Sequence, residues 1–384
     1  MRFPEFSGEW KHVHLKEIAE FQKQRISTAL LNNNNYISTE NILQDFEGIQ
    51  CSSSMPANVN VIKYQNEDIL LSNIRPYLKK VWFADRKGGC SADVLVLRGN
   101  KCDKYFLYYV IASDRFINYV MSGIKGVKMP RGDKNQMEEY AFSIPTNMEQ
   151  KRIAKFISIL DERIRLQNKI IEKYESLIQA ICDTLIEAEQ HKVELSFNDF
   201  GEPYSGLSGK SAEDFGEGCQ YITYMNVYQN QIIDTTDVGL VKINETEQQS
   251  VVRYGDILFT LSSETPNEVG MGAVYLGDTY PLYLNSFCFG VRIIDESKIF
   301  PPFLAYYIST KSFRKAVFPL AQGSTRFNLQ KSDFMNKMFL FPMVEKQNKI
   351  YTTLKAYSDK LSIEKRIAKL LCEQKSFLLR QLFI

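Results

Sequence analysis

The chain repeats itself, and that limits what it can fold into more than any other feature. Tyr36-Ile37-Ser38-Thr39-Glu40-Asn41-Ile42 returns as Tyr221-Ile222-Thr223-Tyr224-Met225-Asn226-Val227, 185 positions later. Glu67-Asp68-Ile69-Leu70-Leu71-Ser72 returns as Gly255-Asp256-Ile257-Leu258-Phe259-Thr260 at a spacing of 188. Tyr108-Tyr109-Val110 answers Tyr306-Tyr307-Ile308 at 198. Ile144-Pro145 answers Phe341-Pro342, and Gln150 with Ile153 answers Gln347 with Ile350, both at 197. Short apolar–polar words recur by chance, but five in one order and at slowly drifting spacings mark a duplicated unit of about 190 residues. A chain of 384 residues has room for two such units, each with its own core.

Each copy reads in two parts. The first is mixed: short strand-like runs such as Val94-Leu95-Val96-Leu97 and Phe287-Cys288-Phe289-Gly290-Val291-Arg292 are divided by Gly, Asn and Asp turns. Helical stretches near Lys104–Val120 and Pro302–Val317 complete it. The Ile-Pro and Phe-Pro pairs then close it, because a residue before proline is pushed out of helical geometry.

The second part is a long helix. Ile153, Ile157, Leu160, Ile164, Gln167, Ile171, Tyr174, Ile178, Ile181 and Leu185 alternate steps of four and three, and nine of the ten are apolar. The same ladder, displaced by 197, runs Ile350, Leu354, Tyr357, Leu361, Glu364, Ala368, Leu371, Lys375, Leu378, Leu382. A sustained 3.5-residue repeat predicts a coiled-coil seam. The two helices are expected to pair antiparallel, since each leaves and re-enters a globular domain. Gln167 and Glu364 place a polar group at the same step of both seams, where such a group costs stability but can fix register. The expected division is residues 1–146 and 190–342 for the mixed domains, with helices over 147–189 and 343–384.

Composition excludes more than it assigns. The formal charge of +2 does not announce a nucleic-acid binder, although residues 63–134 hold 14 Lys/Arg against 7 Asp/Glu. Seven scattered cysteines with no C-x-x-C pair argue against disulfides and zinc, and fit a reducing cytoplasm. The start lacks the apolar run of a signal peptide, and no segment is long and apolar enough to span a membrane. No phosphate-binding glycine loop, dinucleotide fingerprint or Gly-x-Ser-x-Gly elbow occurs. Phe300-Pro301-Pro302-Phe303 lacks the Asn of an aminomethyltransferase tetrapeptide, and His12 with His14 suggests no third metal ligand. The sequence reads as a binder with no catalytic centre and no metal.

At these residues the chain resembles a known family. Phe6-Ser7-Gly8-Glu9-Trp10 followed by Leu15, the Tyr-Ile and Asp-Ile-Leu words, Gly323-Ser324-Thr325-Arg326-Phe327-Asn328-Leu329 and the junction Glu149-Gln150-Lys151-Arg152-Ile153-Ala154 are similar to the specificity subunits of type I restriction–modification enzymes. Gly126-Val127-Lys128-Met129-Pro130-Arg131 is a looser version of the Gly-Ser/Thr word, and Val344-Glu345-Lys346-Gln347 carries an extra residue between Glu and Gln. The resemblance implies a mixed α/β chain: two β-rich target recognition domains in tandem, separated by the antiparallel helix pair, with pseudo-two-fold symmetry. Each domain would read one half of an asymmetric, interrupted site in double-stranded DNA. The helices would dock two methyltransferase subunits carrying S-adenosylmethionine, and two restriction subunits would supply the ATP- and Mg-dependent motor and nuclease.

Base reading needs Arg, Asn or Gln in a groove, while phosphates take Lys, Arg and small hydroxyls. The candidates are Asn73, Arg75, Lys79, Lys80, Lys125, Lys128 and Arg131 in the first domain, and Thr260, Ser262, Ser263, Arg326 and Asn328 in the second. The competing class is a stand-alone DNA-binding regulator or an interaction scaffold, which would need no partner subunits.

Overall fold

The computed structural model describes residues 2–50, 54–124 and 130–382. They form two compact units, one of residues 1–168 with 366–384, the other of residues 169–365. The boundary cuts through both long helices, so each unit holds one mixed domain with half of each helix.

In the first unit a four-stranded antiparallel sheet runs in the order Ala19–Phe21, Val94–Gly99, Ile69–Ser72, Val81–Phe83. The second unit repeats it with Gly201–Ser205, Cys288–Ile293, Ile257–Thr260, Gly272–Val274. The Asp-Ile-Leu words open the buried strand in both. Ile69-Leu70-Leu71 and Ile257-Leu258-Phe259 are buried along their whole length, so these strands read as continuous apolar runs, not alternations. The Tyr-Ile words also serve alike: Tyr36–Ile37 and Tyr221–Ile222 each pair in parallel with a short strand, Gly89–Cys90 and Tyr283–Leu284 respectively.

Each buried strand carries the same ion pair at its entrance. Asp68 accepts two hydrogen bonds from Arg98, both 2.7 Å, and Asp256 accepts two from Arg292, at 3.2 and 2.7 Å. Both aspartates are almost fully buried, and both also take a backbone N–H from three residues upstream, Gln65 and Arg253. A buried carboxylate is tolerable only when paired and hydrogen-bonded in this way. The repeated Asp is therefore a structural anchor.

The duplicated helices correct one spacing. Tyr109 donates its hydroxyl to Asp161 at 2.8 Å, and Tyr306 donates to Ser358 at 3.0 Å. Ser113 and Thr310 each cap the next helix by accepting from Phe116 and Phe313. Tyr109 is thus the counterpart of Tyr306 at 197, and not of Tyr307 at 198. One residue along a helix changes the face, so Tyr307 is not the equivalent of Tyr109.

The long helices run Asn147–Ala188 and Val344–Leu382. Within the first unit Ile153, Ile157 and Leu160 share a core with Leu371, Leu378 and Leu382, and Lys375 meets Asp161 at 2.6 Å. Within the second, Ile178 and Cys182 share a core with Ile350 and Leu354, and Lys365 meets Glu175 at 2.7 Å. In each unit the early residues of one helix lie beside the late residues of the other, so the pairing is antiparallel. Ile164, Ile171, Tyr174 and Leu361 are half-buried seam positions, and Gln167, Glu364 and Leu371 are buried. Glu364 also pairs with Lys360 at 2.7 Å. Tyr357 departs from the expected seam: at 37% exposure it faces solvent, while its neighbour Ser358 takes the contact with Tyr306.

Candidate nucleic-acid interface

At the end of each buried strand the chain meets a second segment that closes over it. In the first unit Ile74 bridges Arg131, Gly132 donates its N–H to the Asn73 carbonyl at 3.0 Å, and Arg75 donates to the Pro130 carbonyl at 2.8 Å. In the second, Ser262–Ser263 pairs with Phe327–Leu329, which turns back on Ala321–Gln322 through Gly323-Ser324-Thr325. Gly323 has φ +133°, and a Cβ there would run into the Arg326 carbonyl, so the turn requires glycine. The Gly-Ser-Thr-Arg word is the tip of a hairpin, with Ser324, Thr325, Arg326 and Asn328 exposed.

The nominated residues separate sharply on this frame. Arg75 and Arg131 stand exposed in the first unit, and Arg326 and Asn328 in the second. Arg75 holds a left-handed backbone at φ +49°, a conformation that costs a non-glycine residue of order 1 kcal/mol and clusters at functional sites. Arg131 pairs with Asp93 at 3.0 Å and keeps 54% of its side chain exposed. Asn73 is half-buried, and its Oδ1 is buried without a partner.

Other nominated residues are engaged within the chain. Lys79 is tied to Asp114 at 2.8 Å, and Lys80 donates to the Thr39 carbonyl at 2.8 Å; both cations hold loops together. Thr260 is fully buried in its strand with its hydroxyl on the Met271 carbonyl. Ser262 and Ser263 are buried as well, Ser263 donating to the Thr265 carbonyl at 2.6 Å. Thr260 and Ser263 spend their hydroxyls on backbone carbonyls, and the Ser262 hydroxyl is buried without a partner. Lys125 and Lys128 lie outside the described residues. His12 and His14 face Ser143 and the Glu139 carbonyl, and among the described residues no cluster of three metal-ligating side chains forms.

Two groups fall outside the residue types sought, since neither an acid nor a phenyl ring was among the base- or phosphate-contacting types. Asp93 and Phe287 stand immediately before equivalent strands, beside Arg131 and Arg326 respectively; Arg326 lies 5.9 Å from the Phe287 ring centroid. The signal was present in the repeat: Asp93-Val94 and Phe287-Cys288 occupy the same step ahead of the last sheet strand.

A family model for the type I restriction modification DNA specificity domain matches this chain twice, over residues 7–176 and 207–372. The chain belongs to that family. The double match coincides with the duplication seen in the sheets and helices. A specificity subunit of the MjaVIII type I restriction enzyme from Methanocaldococcus jannaschii is 24% identical, over 95% of this chain and 89% of that protein. Among solved structures, one described as a type I R-M system undergoing complex assembly and conformational transition is 17% identical, with a TM-score of 0.58 across 98% of both chains. The type I restriction–modification S subunit from M. genitalium is 17% identical with a TM-score of 0.56, over 100% of this chain and 99% of that one. At these identities the solved structures establish the fold, and the family match establishes what the chain is: a type I specificity subunit. Among the described residues no helix is long and apolar enough to cross a membrane.

Proposed function

We propose that this type I specificity subunit reads an asymmetric, interrupted site in double-stranded DNA, one half-site per unit, and docks the methyltransferase and restriction subunits that act there. The observation that carries this reading is the doubled frame with different tips. Both units build the same sheet, ion pair and closing segment, yet one presents Arg75, Asp93 and Arg131 and the other Phe287, Arg326 and Asn328. A shared scaffold with divergent exposed groups is what reading two different base sequences requires.

Docking is supported by the outer faces of the long helices. Ile159, Leu166, Ile170 and Leu177 on one, and Ile363, Leu370 and Phe377 on the other, are all exposed. The latter three recur every seven residues, so they form a single apolar stripe. A lone regulator has no use for such a stripe, whereas two methyltransferase subunits give it a partner. S-adenosylmethionine, ATP and Mg then belong to those subunits, and this chain contributes the address and no catalysis.

Mapping methylated adenines in the host genome, with and without the gene, tests the reading. One bipartite motif should vanish with the gene. Exchanging residues 190–342 for those of a relative should alter one half of the motif and leave the other. Motif halves that change together would refute independent reading.

A further inference from the structure

The two units mount different chemistry on one position. Asn73 donates its N–H to the Asp93 carbonyl at 2.8 Å, and Leu261 donates to the Phe287 carbonyl at 2.9 Å. The next residues, Val94 and Cys288, pair with Ser72 and Thr260, the last residues of the buried strands. The closing segments are fixed alike, Ile74 to Arg131 and Ser262 to Asn328. Positions 93 and 287 are therefore equivalent by backbone, and what differs is the side chain and what it does to the neighbouring arginine.

In the first unit a carboxylate holds Arg131 by an ion pair while half the guanidinium side chain stays in solvent. A guanidinium has five N–H donors in a fixed fork, so one edge can be held by Asp93 while another meets a base. In the second unit Phe287 is 56% exposed, with Arg326 set against its ring. An exposed phenyl ring beside a glycine-turned hairpin has nothing to hydrogen-bond and only a face and an edge to offer. The base-edge group that suits it in a major groove is the thymine methyl, as the paired guanine N7 and O6 suit an oriented arginine.

Resting on the DNA-reading proposal above, the geometry points to positions 93 and 287 as matched specificity determinants. Phe287 packs on a thymine methyl in the half-site of the second unit. Asp93 is a positioning residue that aims Arg131 at a guanine in the half-site of the first.

The test uses the full chain in complex with its methyltransferase subunits, beginning with the motif that the wild-type complex methylates. Phe287→Ala should lower the preference for one thymine in one half-site by about fivefold and leave the other half-site intact, while Phe287→Leu retains most of it. Replacing that thymine by uracil, which lacks only the methyl, should weaken wild-type binding about fivefold and leave Phe287→Ala indifferent. Asp93→Asn should relax one guanine in the opposite half-site. A thermal transition matching wild type shows that each variant folds. Unchanged selectivity in Phe287→Ala, equal binding of thymine and uracil probes, or an effect spread over both half-sites would overturn the assignment. A wild-type complex with no bipartite motif would overturn the DNA-reading proposal itself, and this assignment with it.

Discussion

Gln347 repeats, 197 residues later, both hydrogen bonds made by Gln150. Gln150 accepts the Asp103 N–H at 2.9 Å and donates to the Pro145 carbonyl at 2.8 Å; Gln347 accepts the Phe300 N–H at 2.8 Å and donates to the Pro342 carbonyl at 2.8 Å. Both side chains are buried. Each one fastens the first turn of a long helix to the proline that ends its domain and to the start of a domain helix. The direction in which the helix departs is thereby fixed to the domain it leaves.

Replacing either glutamine by leucine would keep the volume and strand one N–H and the proline carbonyl, and at Gln347 would also remove a longer bond, 3.4 Å, to the Lys298 carbonyl. At 1–3 kcal/mol for an orphaned buried group, the expected destabilisation is about 3 kcal/mol for each variant. Hydrogen exchange should show it first at the affected helix junction, and Gln347→Leu should leave the junction at Pro145 protected. An exchange pattern identical to wild type would show that the latch is dispensable.

The Asp68–Arg98 and Asp256–Arg292 pairs should respond strongly to removal of the acid. Asp→Ala at either position leaves a guanidinium without its partner and should cost about 3 kcal/mol, measured by chemical denaturation. Asp256→Ala should be the worse of the two, because Tyr204 also donates to Asp256 at 2.8 Å.

Alkaline stability has a definite sign. Burial pushes the thiols of Cys90, Cys102, Cys182 and Cys288 up to about 12. Unfolded thiols ionise near 9, so the neutral form is favoured more by the folded state. Their contribution is therefore fully present below pH 9 and lost as pH rises toward 12. At pH 8 a thiol-specific reagent should label exposed Cys372 and leave these four unreacted in the folded chain. Rapid labelling of Cys90, Cys182 or Cys288 would contradict their burial.

Salt dependence separates reading cations from structural ones. Arg75→Ala and Arg131→Ala should change binding to the cognate site. For each phosphate that a removed guanidinium had neutralised, the slope of log affinity against log salt should fall by roughly 0.9. Lys79→Ala and Lys80→Ala should leave the slope unchanged and loosen the loops they tie. Equal slopes in all four variants would place Arg75 and Arg131 away from phosphates.

The apolar stripe can be charged without touching a core. Leu370→Asp with Phe377→Asp should fold as wild type, since both side chains are about half exposed, and should fail to co-purify with the methyltransferase subunit. Full co-purification would move the docking surface elsewhere.

The candidate site was less legible than the fold, for a physical reason visible residue by residue. Lys79 and Arg131 look alike in a sequence as loop cations, and each meets a carboxylate, but Lys79 is held by Asp114 with a third of its side chain exposed while Arg131 keeps more than half in solvent. Thr260 and Asn328 both belong to words that resemble the family's, yet one points into a core and the other out. Phe287 carried no charge to mark it. Burial and partnership decide which polar groups are free, and neither is written in residue type.

What the sequence determined by itself was everything set by local spacing: the duplication, the proline-closed domains, the two long helices and their 3.5-residue ladders. These follow from backbone geometry and periodicity, which act over a few residues and survive duplication. Only the tertiary structure decided which tyrosine answers which, that Lys375 in the second ladder is met by Asp161, that Tyr357 leaves the seam, and that Asp93 and Phe287 share one position. Those outcomes depend on groups far apart in the chain meeting at close range, where a one-residue slip or a single buried charge outweighs the pattern around it.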